Sequence, residues 1–485
     1  MKNHNNIGKI YKNCTETVKN KVIDIDLNIE DIVFENDTKK NFLLVGEVQS
    51  GKTAKIIELI KHAVDRGYDF CIVFGGVTNL LNEQTKHRFE RGIPNEICGR
   101  KKDFIDSKKI TKNLRFNTNN FFYILTFLKG SEQIKKLNNL FMELINFNTK
   151  KVLLIDDETD YATVISNKHD TAIHKLICDI WKSVIYGKLV LVTATPFANI
   201  LSPENDPLYF QDILLMESND EYTGSKFFLQ NAKKCYFQLE ETSKKNISSW
   251  ENAINISLAN FLLSTVLYKE KFNDEKSEFL LNIDSEIPRQ DKAVEFIGKS
   301  LQKYMEFPDN FNGWLKKAKQ DKYKDVLIDE QRIMKQIMNV INQIISDDSI
   351  IWLKSGESYS SGKYDYAIIV GGILLSRGIT FKYLLTELIL NARDEKNSVD
   401  TLLQRARWFG YRKIHDRYQF MSIYMNKEIS KSLSESNEAI NFLNIKHKNS
   451  SLKQELEVFQ EKKLKSTKLT GKPRIQKILT ENNNE

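Results

Sequence analysis

The chain reads as an α/β protein of two parallel-sheet units, and three observations predict it. Two stretches, 41–76 and 364–425, alternate short apolar runs with amphipathic ones, as strand–helix–strand units do. A glycine-rich loop, Gly46-Glu47-Val48-Gln49-Ser50-Gly51-Lys52-Thr53, stands where the first such strand turns into the first helix. The third observation is scale: 485 residues, 41% hydrophobic and 28% charged, are enough for more than one sizeable core.

Composition also excludes. No run of about 18 uncharged apolar residues occurs, and the N-terminus, MKNHNNIGKIYKN, lacks the apolar core of a signal peptide, so the expectation is a cytoplasmic protein with no membrane partner. Cysteines stand at 14, 71, 98, 178 and 235 with no C-x-x-C pair and no histidine at zinc spacing. They are expected to be reduced, partly buried thiols, without a disulfide framework or a zinc site.

In the first unit, NFLLV (41–45) is a strand, and TAKIIELIKHAVDRG carries the helical stripe Ile56, Ile57, Leu59, Ile60, Ala63 and Val64, closed by Gly67. DFCIVFGG (69–76) is the returning strand. The loop between strand and helix fits G-x-x-x-x-G-K-[ST]. Backbone N–H groups from Gly46 through Gln49, Ser50 and Gly51 to Lys52 are expected to encircle a β-phosphate at the positive end of the helix dipole. Lys52 would neutralise β and γ oxygens, and the Thr53 hydroxyl would hold Mg²⁺. ATP and Mg²⁺ are therefore the expected cofactors.

A phosphate loop needs an acidic partner, and KVLLIDDETD (151–160) offers one: an apolar strand running into Asp156, Asp157, Glu158 and Asp160. Asp157 is assigned to the metal and Glu158 to the attacking water, with Asp156 as the alternative. KLVLVTATPFANIL (188–201) follows, a strand running into Thr193-Ala194-Thr195-Pro196.

Residues 231–255 are polar and read as a connector. Beyond it come a helix near 256–270, a strand near 278–283 and a charged, mostly helical stretch over 289–347. The second unit begins with YDYAIIVGG (364–372) and continues with ILLSRGITF and the strand LLTELILNA (384–392). DTLLQRARWFGYRK (400–413) places Arg405, Arg407 and Arg412 among Trp408, Phe409 and Tyr411, a packed setting in which one arginine could act on a γ-phosphate. YQFMSIYM (418–425) closes the unit as a strand.

Charge is unevenly spread. Residues 100–115 hold seven basic and two acidic side chains, and 462–477 hold seven basic and none acidic. Either run is a solvated face or a phosphate-contacting surface.

In order, GEVQSGKT, DETD, TATP, SRGIT and QRARWFGYR resemble the motif series of superfamily 2 helicases, in which two RecA-like lobes close on ATP and a nucleic-acid strand. More closely, VGEVQSGKT, GGVTNLLNEQT, LLIDDETDYA, LVTATPFANIL, GGILLSRGIT and RWFGYR resemble the Z1 domain family, bacterial proteins often found with restriction or phage-defence components and frequently labelled endonucleases. The resemblance spans roughly residues 40–425. It implies ATPase roles for Lys52, Thr53, Asp157, Glu158, Gln404 and Arg407, with Arg412 as the other finger candidate and Arg405 a third. It further implies that Thr78, Asn79, Gln84 and Thr85 of the first lobe, and Ser376, Arg377 and Thr380 of the second, lie near a strand-binding cleft or couple it to ATP. Ala406 stands where the family usually has glycine. The expected organisation is an N-terminal extension (1–35), RecA-like lobe 1 (36–230), a connector (231–255), lobe 2 (256–430) with a helical insertion (289–347), and a helical, basic tail (431–485).

The expected activity is that of an ATP-dependent nucleic-acid motor, on DNA ahead of RNA, within a restriction or defence system. No PD-(D/E)-x-K, H-N-H or H-x-K-x₄-D constellation is evident, so cleavage is expected from a partner nuclease. His169, His174 and His415 show no partners in the sequence and read as surface or core histidines. The alternative function is a nucleotide-dependent switch that licenses a partner without processive movement. A metabolic phosphotransferase is a third reading, disfavoured by the late motifs at 371–380 and 404–412.

Overall fold

The structure is a computed structural model. It describes residues 29–75, 79–106, 116–129, 135, 149–160, 163, 171–230, 236–239, 247–273, 276–283, 287–354, 357, 359–372, 381–390, 398–406, 409–446 and 452–464. The chain divides into two compact units: 1–77, 82–193 and 202–221 form the first, and 78–81, 194–201 and 222–485 the second.

The first unit is built on an eight-stranded sheet: β1 (Lys40–Val45), β2 (Phe70–Gly75), β3 (Glu96–Ile97), β4 (Arg100–Asp106), β5 (Phe121–Leu128), β6 (Lys151–Asp157), β7 (Tyr186–Thr193) and β8 (Asp212–Leu215). Their order is β3-β4-β5-β2-β6-β7-β1-β8, and every pairing except β3 with β4 is parallel. Strands covered on both faces must be apolar throughout, and β2 is buried at every position while β6 is buried from Val152 to Asp156. Helix α1 (Ile29–Val33) precedes the sheet, and α2 (Lys52–Asp65), α3 (Asn79–Gly92) and α4 (Ala172–Ser183) provide the crossovers between parallel strands. The stripe expected on α2 is the buried one: Ile56, Leu59, Ile60, Ala63 and Val64 join a core with Phe42, Leu44, Val73 and Val190.

The second unit contains α5 (Phe197–Ile200), α6 (Ser225–Gln230) and a six-stranded, all-parallel sheet. Its strands are β9 (Tyr236–Leu239), β10 (Ser277–Asn282), β11 (Ile350–Trp352), β12 (Tyr366–Gly371), β13 (Leu384–Ile389) and β14 (Ser422–Asn426), in the order β11-β12-β10-β13-β14-β9. Helix α7 (Ile247–Phe272) packs on α9 (Asp309–Lys322) and α10 (Glu330–Ser346), while α8 (Ile287–Glu306) packs on α10. The stretch 289–347 is thus mostly helical, with a break over 323–329. In α10 the buried residues Ile333, Ile337, Val340, Ile341 and Ile344 fall at helical spacing, and the Asp329 side chain caps its start by accepting from Arg332 N. Short α11 (Val399–Arg405) and the C-terminal α12 (Lys427–Lys446) and α13 (Leu452–Lys463) complete the unit.

Several local readings differ from the structure: α7 starts at Ile247, inside the segment read as a connector, and residues 194–201 and 222–230, read with the first lobe, group with the second unit. Residues 236–239, within the segment read as a connector, form β9 and pair with β14, where Phe237 stacks on Tyr424 at 4.9 Å. Residues 418–420, read as the start of a strand, lie in a 3₁₀ turn over Ile414–Phe420, and β14 starts only at Ser422. The fold class itself is as expected: α/β, with two RecA-like parallel-sheet lobes.

Candidate nucleotide site

In a parallel sheet all strand C-termini share one edge, and a ligand is received where neighbouring connections diverge. Strand β1 is such a point, with β7 on one side and β8 on the other. The glycine-rich loop leaves β1 there. Gly46 N–H donates to Thr193 O at 3.1 Å, anchoring the loop to the end of β7. Gln49 (φ 62°) and Gly51 (φ 98°) are left-handed, and Gly51 N-caps α2 in that conformation, which glycine adopts without a Cβ penalty. The turn carries the chain around Lys52, whose Nζ donates to Gly46 O at 3.0 Å and Glu47 O at 2.8 Å. Ser50 is fully buried inside the loop. A helix N-terminus, successive backbone N–H groups and a lysine ammonium at one turn make an anion receptor.

The acidic strand ends at the same edge, separated from β1 by β7 alone. Asp156 is fully buried and pairs with Lys129 Nζ at 2.8 Å, the two side chains being 0% and 1% exposed. The same ammonium donates to Glu158 O at 2.8 Å. Glu158 takes a left-handed φ of 53°, and its N–H donates to Asp157 Oδ1 at 3.0 Å. Thr159 N–H reaches Val192 O at 3.0 Å, and Thr193 Oγ1 donates to Asp160 Oδ1 at 2.9 Å, closing the acidic turn onto β7. The buried lysine and these hydrogen bonds therefore hold the DDETD turn in one shape.

Asp157 retains some surface accessibility but is ringed by protein, and burial raises its pKa. Lys52, Lys129 and the Glu158 N–H oppose that shift without cancelling it. Arg88 on α3 donates to Thr53 Oγ1 at 3.3 Å; burial lowers its pKa while Asp157 acts to raise it. Thr53 hydroxyl and Asp157 carboxylate are hard oxygen donors of the kind Mg²⁺ takes, and a carboxylate disfavoured by its surroundings is one that a cation would stabilise. The residues fit the metal. Thr53 and Asp157 would hold it, and when bound it would neutralise phosphate charge.

The first unit thus brings Gly46, Gln49, Ser50, Gly51, Lys52, Thr53, Asp157 and Glu158 to one end of the sheet. It adds two residues that sequence reasoning missed, Arg88 and Lys129. A lysine directly after the apolar run FFYILTFL was the available signal for Lys129. Of the residues expected near a nucleic-acid strand, Thr85 is half-buried on α3, and Asn79 begins that helix. Thr78, Ser376, Arg377, Thr380 and Arg407 lie outside the described residues, as do the side chains of Asn79 and Gln84.

Within the second unit, buried Gln404 donates from Nε2 to Thr195 Oγ1 at 3.1 Å. Arg412 is half-buried and donates to the Lys382 carbonyl. Arg405 has a structural post. It is 6% exposed and donates to Asn282 Oδ1 at 3.1 Å, to the carbonyls of Asn282 and Leu390 at 3.3 Å, and to that of Ile283 at 3.4 Å, tying together the ends of β10 and β13. Among the three arginines of this segment, Arg405 is therefore a clamp on the sheet.

The basic run 100–115 is likewise partly committed. Arg100 donates to Val64 O at 2.6 Å and pairs with Asp69 at 3.7 Å, while Lys102 donates to Glu90 O at 3.0 Å and Ile93 O at 2.6 Å. These two side chains satisfy carbonyls of the first unit. Residues 107–115, and 465–477 of the tail, lie outside the described residues. No described helix is long and apolar enough to cross a membrane.

Fold and site together set a glycine-rich loop of phosphate-binding type and an acidic turn at the carboxyl edge of one parallel sheet. The family resemblance is borne out over the second half of the chain: residues 253–477 match the Z1 domain family. That match takes in GGILLSRGIT and RWFGYR, and the first-unit motifs lie outside it. No curated protein matches the chain in sequence. Similar solved structures include the DEAD-box helicase Mss116 bound to single-stranded RNA and a nucleotide analogue, with 12% identity, TM-score 0.45, and coverage of 87% of this chain and 72% of that one. A DEAD box protein from Methanococcus jannaschii shows 14% identity, TM-score 0.38 and coverage of 88% and 94%. The ATP-dependent type ISP restriction-modification enzyme LlaBIII bound to DNA shows 12% identity and TM-score 0.39, with 92% of this chain matched to 30% of that one.

Proposed function

We propose that the protein is a nucleic-acid-stimulated ATPase that moves on nucleic acid, DNA in preference to RNA, and serves a restriction or phage-defence system in which a partner chain cuts. The observation that carries the reading is the pairing of a phosphate loop with an acidic turn at one sheet edge: Lys52 and Thr53 on one side, Asp157 and Glu158 on the other. Lys52 binds β and γ oxygens, and Glu158 aligns and deprotonates the attacking water. Lys129 keeps the Glu158 turn in place through the Glu158 carbonyl. Arg407 supplies the charge that stabilises the γ-phosphate in the transition state, with Arg412 the other candidate for that role. The family's association with restriction components supports the defence context.

The test is ATP turnover with single-stranded DNA, double-stranded DNA and RNA, beside Lys52→Ala and Glu158→Gln. DNA should raise turnover, and both substitutions should abolish it. Turnover indifferent to every nucleic acid, or untouched by Lys52→Ala, refutes the proposal. Streptavidin displacement from end-labelled DNA then separates a motor from a switch, which would hydrolyse ATP on DNA without displacing anything.

A further inference from the structure

Away from the nucleotide site, the first unit brings together three side chains of metal-binding type. His174 and Cys178 stand one turn apart on α4, and Asp206 faces them from the loop before β8. His174, read as an isolated histidine, has its Nε2 at 2.9 and 3.1 Å from the two Asp206 carboxylate oxygens. The Cys178 Sγ lies 3.6 Å from that Nε2 and 4.0 Å from Asp206 Oδ1. His174 and Cys178 are each 4% exposed, and the Asp206 side chain 6%. Among the described residues this is the one group of three or more His, Cys, Asp or Glu side chains close enough to share an ion.

We propose that His174, Cys178 and Asp206 form a zinc site with three protein ligands and a fourth position filled by water. The spacing is the first argument. Tetrahedral Zn²⁺ with bonds of about 2.0 Å to N and O and about 2.3 Å to S sets its ligands about 3.3 Å apart for N···O and about 3.5 Å apart for S···N and S···O. The observed separations lie within about 0.5 Å of these, which small side-chain rotations absorb. Charge is the second. A neutral imidazole, a thiolate and a carboxylate sum to the charge that cancels Zn²⁺, so the loaded cluster is neutral, as a buried group needs to be. Binding releases the Cys178 thiol proton to solvent. The third argument is orientation. Asp206 Oδ1 accepts the Leu208 N–H at 2.9 Å, and the Thr171 side chain accepts the His174 N–H at 3.0 Å, fixing the carboxylate and the start of the helix that presents the imidazole. The ion would fasten α4 to the segment entering β8, the strand beside the phosphate-loop strand.

The experiment uses the full chain, stripped with chelator and titrated with Zn²⁺ alone and Co²⁺ alone. The expected result is about one ion per chain by mass spectrometry. The Co²⁺ form should show a near-ultraviolet sulfur-to-cobalt charge-transfer band and tetrahedral visible bands, and Zn²⁺ should raise the unfolding temperature. Cys178→Ser should abolish the charge-transfer band, and it and His174→Gln should weaken Zn²⁺ binding at least ~100-fold. Metal taken up at the Thr53 and Asp157 oxygens gives no sulfur band, so the two sites are distinguishable. Absence of the band in the wild-type protein overturns the proposal whether or not the variants fold. Survival of the band in Cys178→Ser overturns it as well.

Discussion

Lys129 offers the sharpest test of how the candidate nucleotide site is held. It lies 2.8 Å from Asp156, with both side chains buried from solvent, and at an effective dielectric of about 20 that separation is worth about 6 kcal/mol of attraction. Desolvation cancels much of it. The net effect of keeping both ions is small, but removing one strands the other, at about 3–5 kcal/mol. Lys129→Met keeps the volume and removes the charge, so the unfolding free energy of the first unit should fall by that amount. Lys129→Met combined with Asp156→Leu should recover most of the loss. Denaturant unfolding of wild type, both single variants and the double variant should give a coupling of at least ~2 kcal/mol. Turnover is a separate readout, because Lys129 also donates to the Glu158 carbonyl. The double variant should fold yet hydrolyse ATP ~10-fold or more slowly, its acidic turn having lost one tether. A single variant within ~0.5 kcal/mol of wild type, or additive effects, would refute the buried pair as described.

Three further outcomes are expected. Asp157→Asn should lower turnover ~100-fold or more yet raise the unfolding temperature of the nucleotide-free protein at neutral pH, because burial lifts the Asp157 pKa and its ionisation opposes folding. The sign fixes the pH dependence. The gain is full above the folded-state pKa and vanishes as pH falls below the ordinary aspartate value of about 3.9, which scanning calorimetry across pH can follow. Arg405→Ala should cost about 3 kcal/mol or more, by leaving Asn282 Oδ1 and the Ile283 and Leu390 carbonyls short of a donor; Arg405→Lys should rescue little, since an ammonium cannot span them, as read by denaturant unfolding of the second unit. In Gly46→Ala the added methyl meets Lys52 Cγ and Ser50 Oγ at 3.0 Å, so nucleotide affinity should fall ~10-fold with stability changed by less than ~1 kcal/mol, measured by calorimetric titration and thermal unfolding.

How much of the molecule is legible in the sequence depends on range. The β1–α2–β2 unit is readable because its signals are local: an apolar run, two glycines ahead of a lysine and an amphipathic stripe all fall between Lys40 and Gly75. By contrast, Lys129 and Asp156 are far apart in the chain, and their pairing exists only once β5 and β6 flank β2. Nothing in either residue's neighbourhood encodes the partner. Strand β9 escapes for a related reason: YFQL is short, lies in a polar setting and becomes a strand by pairing with β14. Arg405 looks like its neighbours Arg407 and Arg412, and only the carbonyls at the ends of β10 and β13 single it out. The cluster of His174, Cys178 and Asp206 is half visible, as a histidine and a cysteine one helical turn apart, but the carboxylate arrives from a loop beyond β7.

The parallel order of the first sheet has a practical consequence for anyone labelling this protein. The candidate phosphate loop and the acidic turn both leave the carboxyl edge, so the turns at the opposite edge lie away from them. At Gly67, in the turn between α2 and β2, no atom lies within 4 Å of where a Cβ would stand, but its left-handed φ of 83° would strain any side chain placed there. Ile185, in the turn before β7, and Tyr186, the first residue of β7, are about half exposed, at 48% and 47%. A dye or a short tag at Ile185 would report on the unit from the far side of the sheet, away from the candidate nucleotide site.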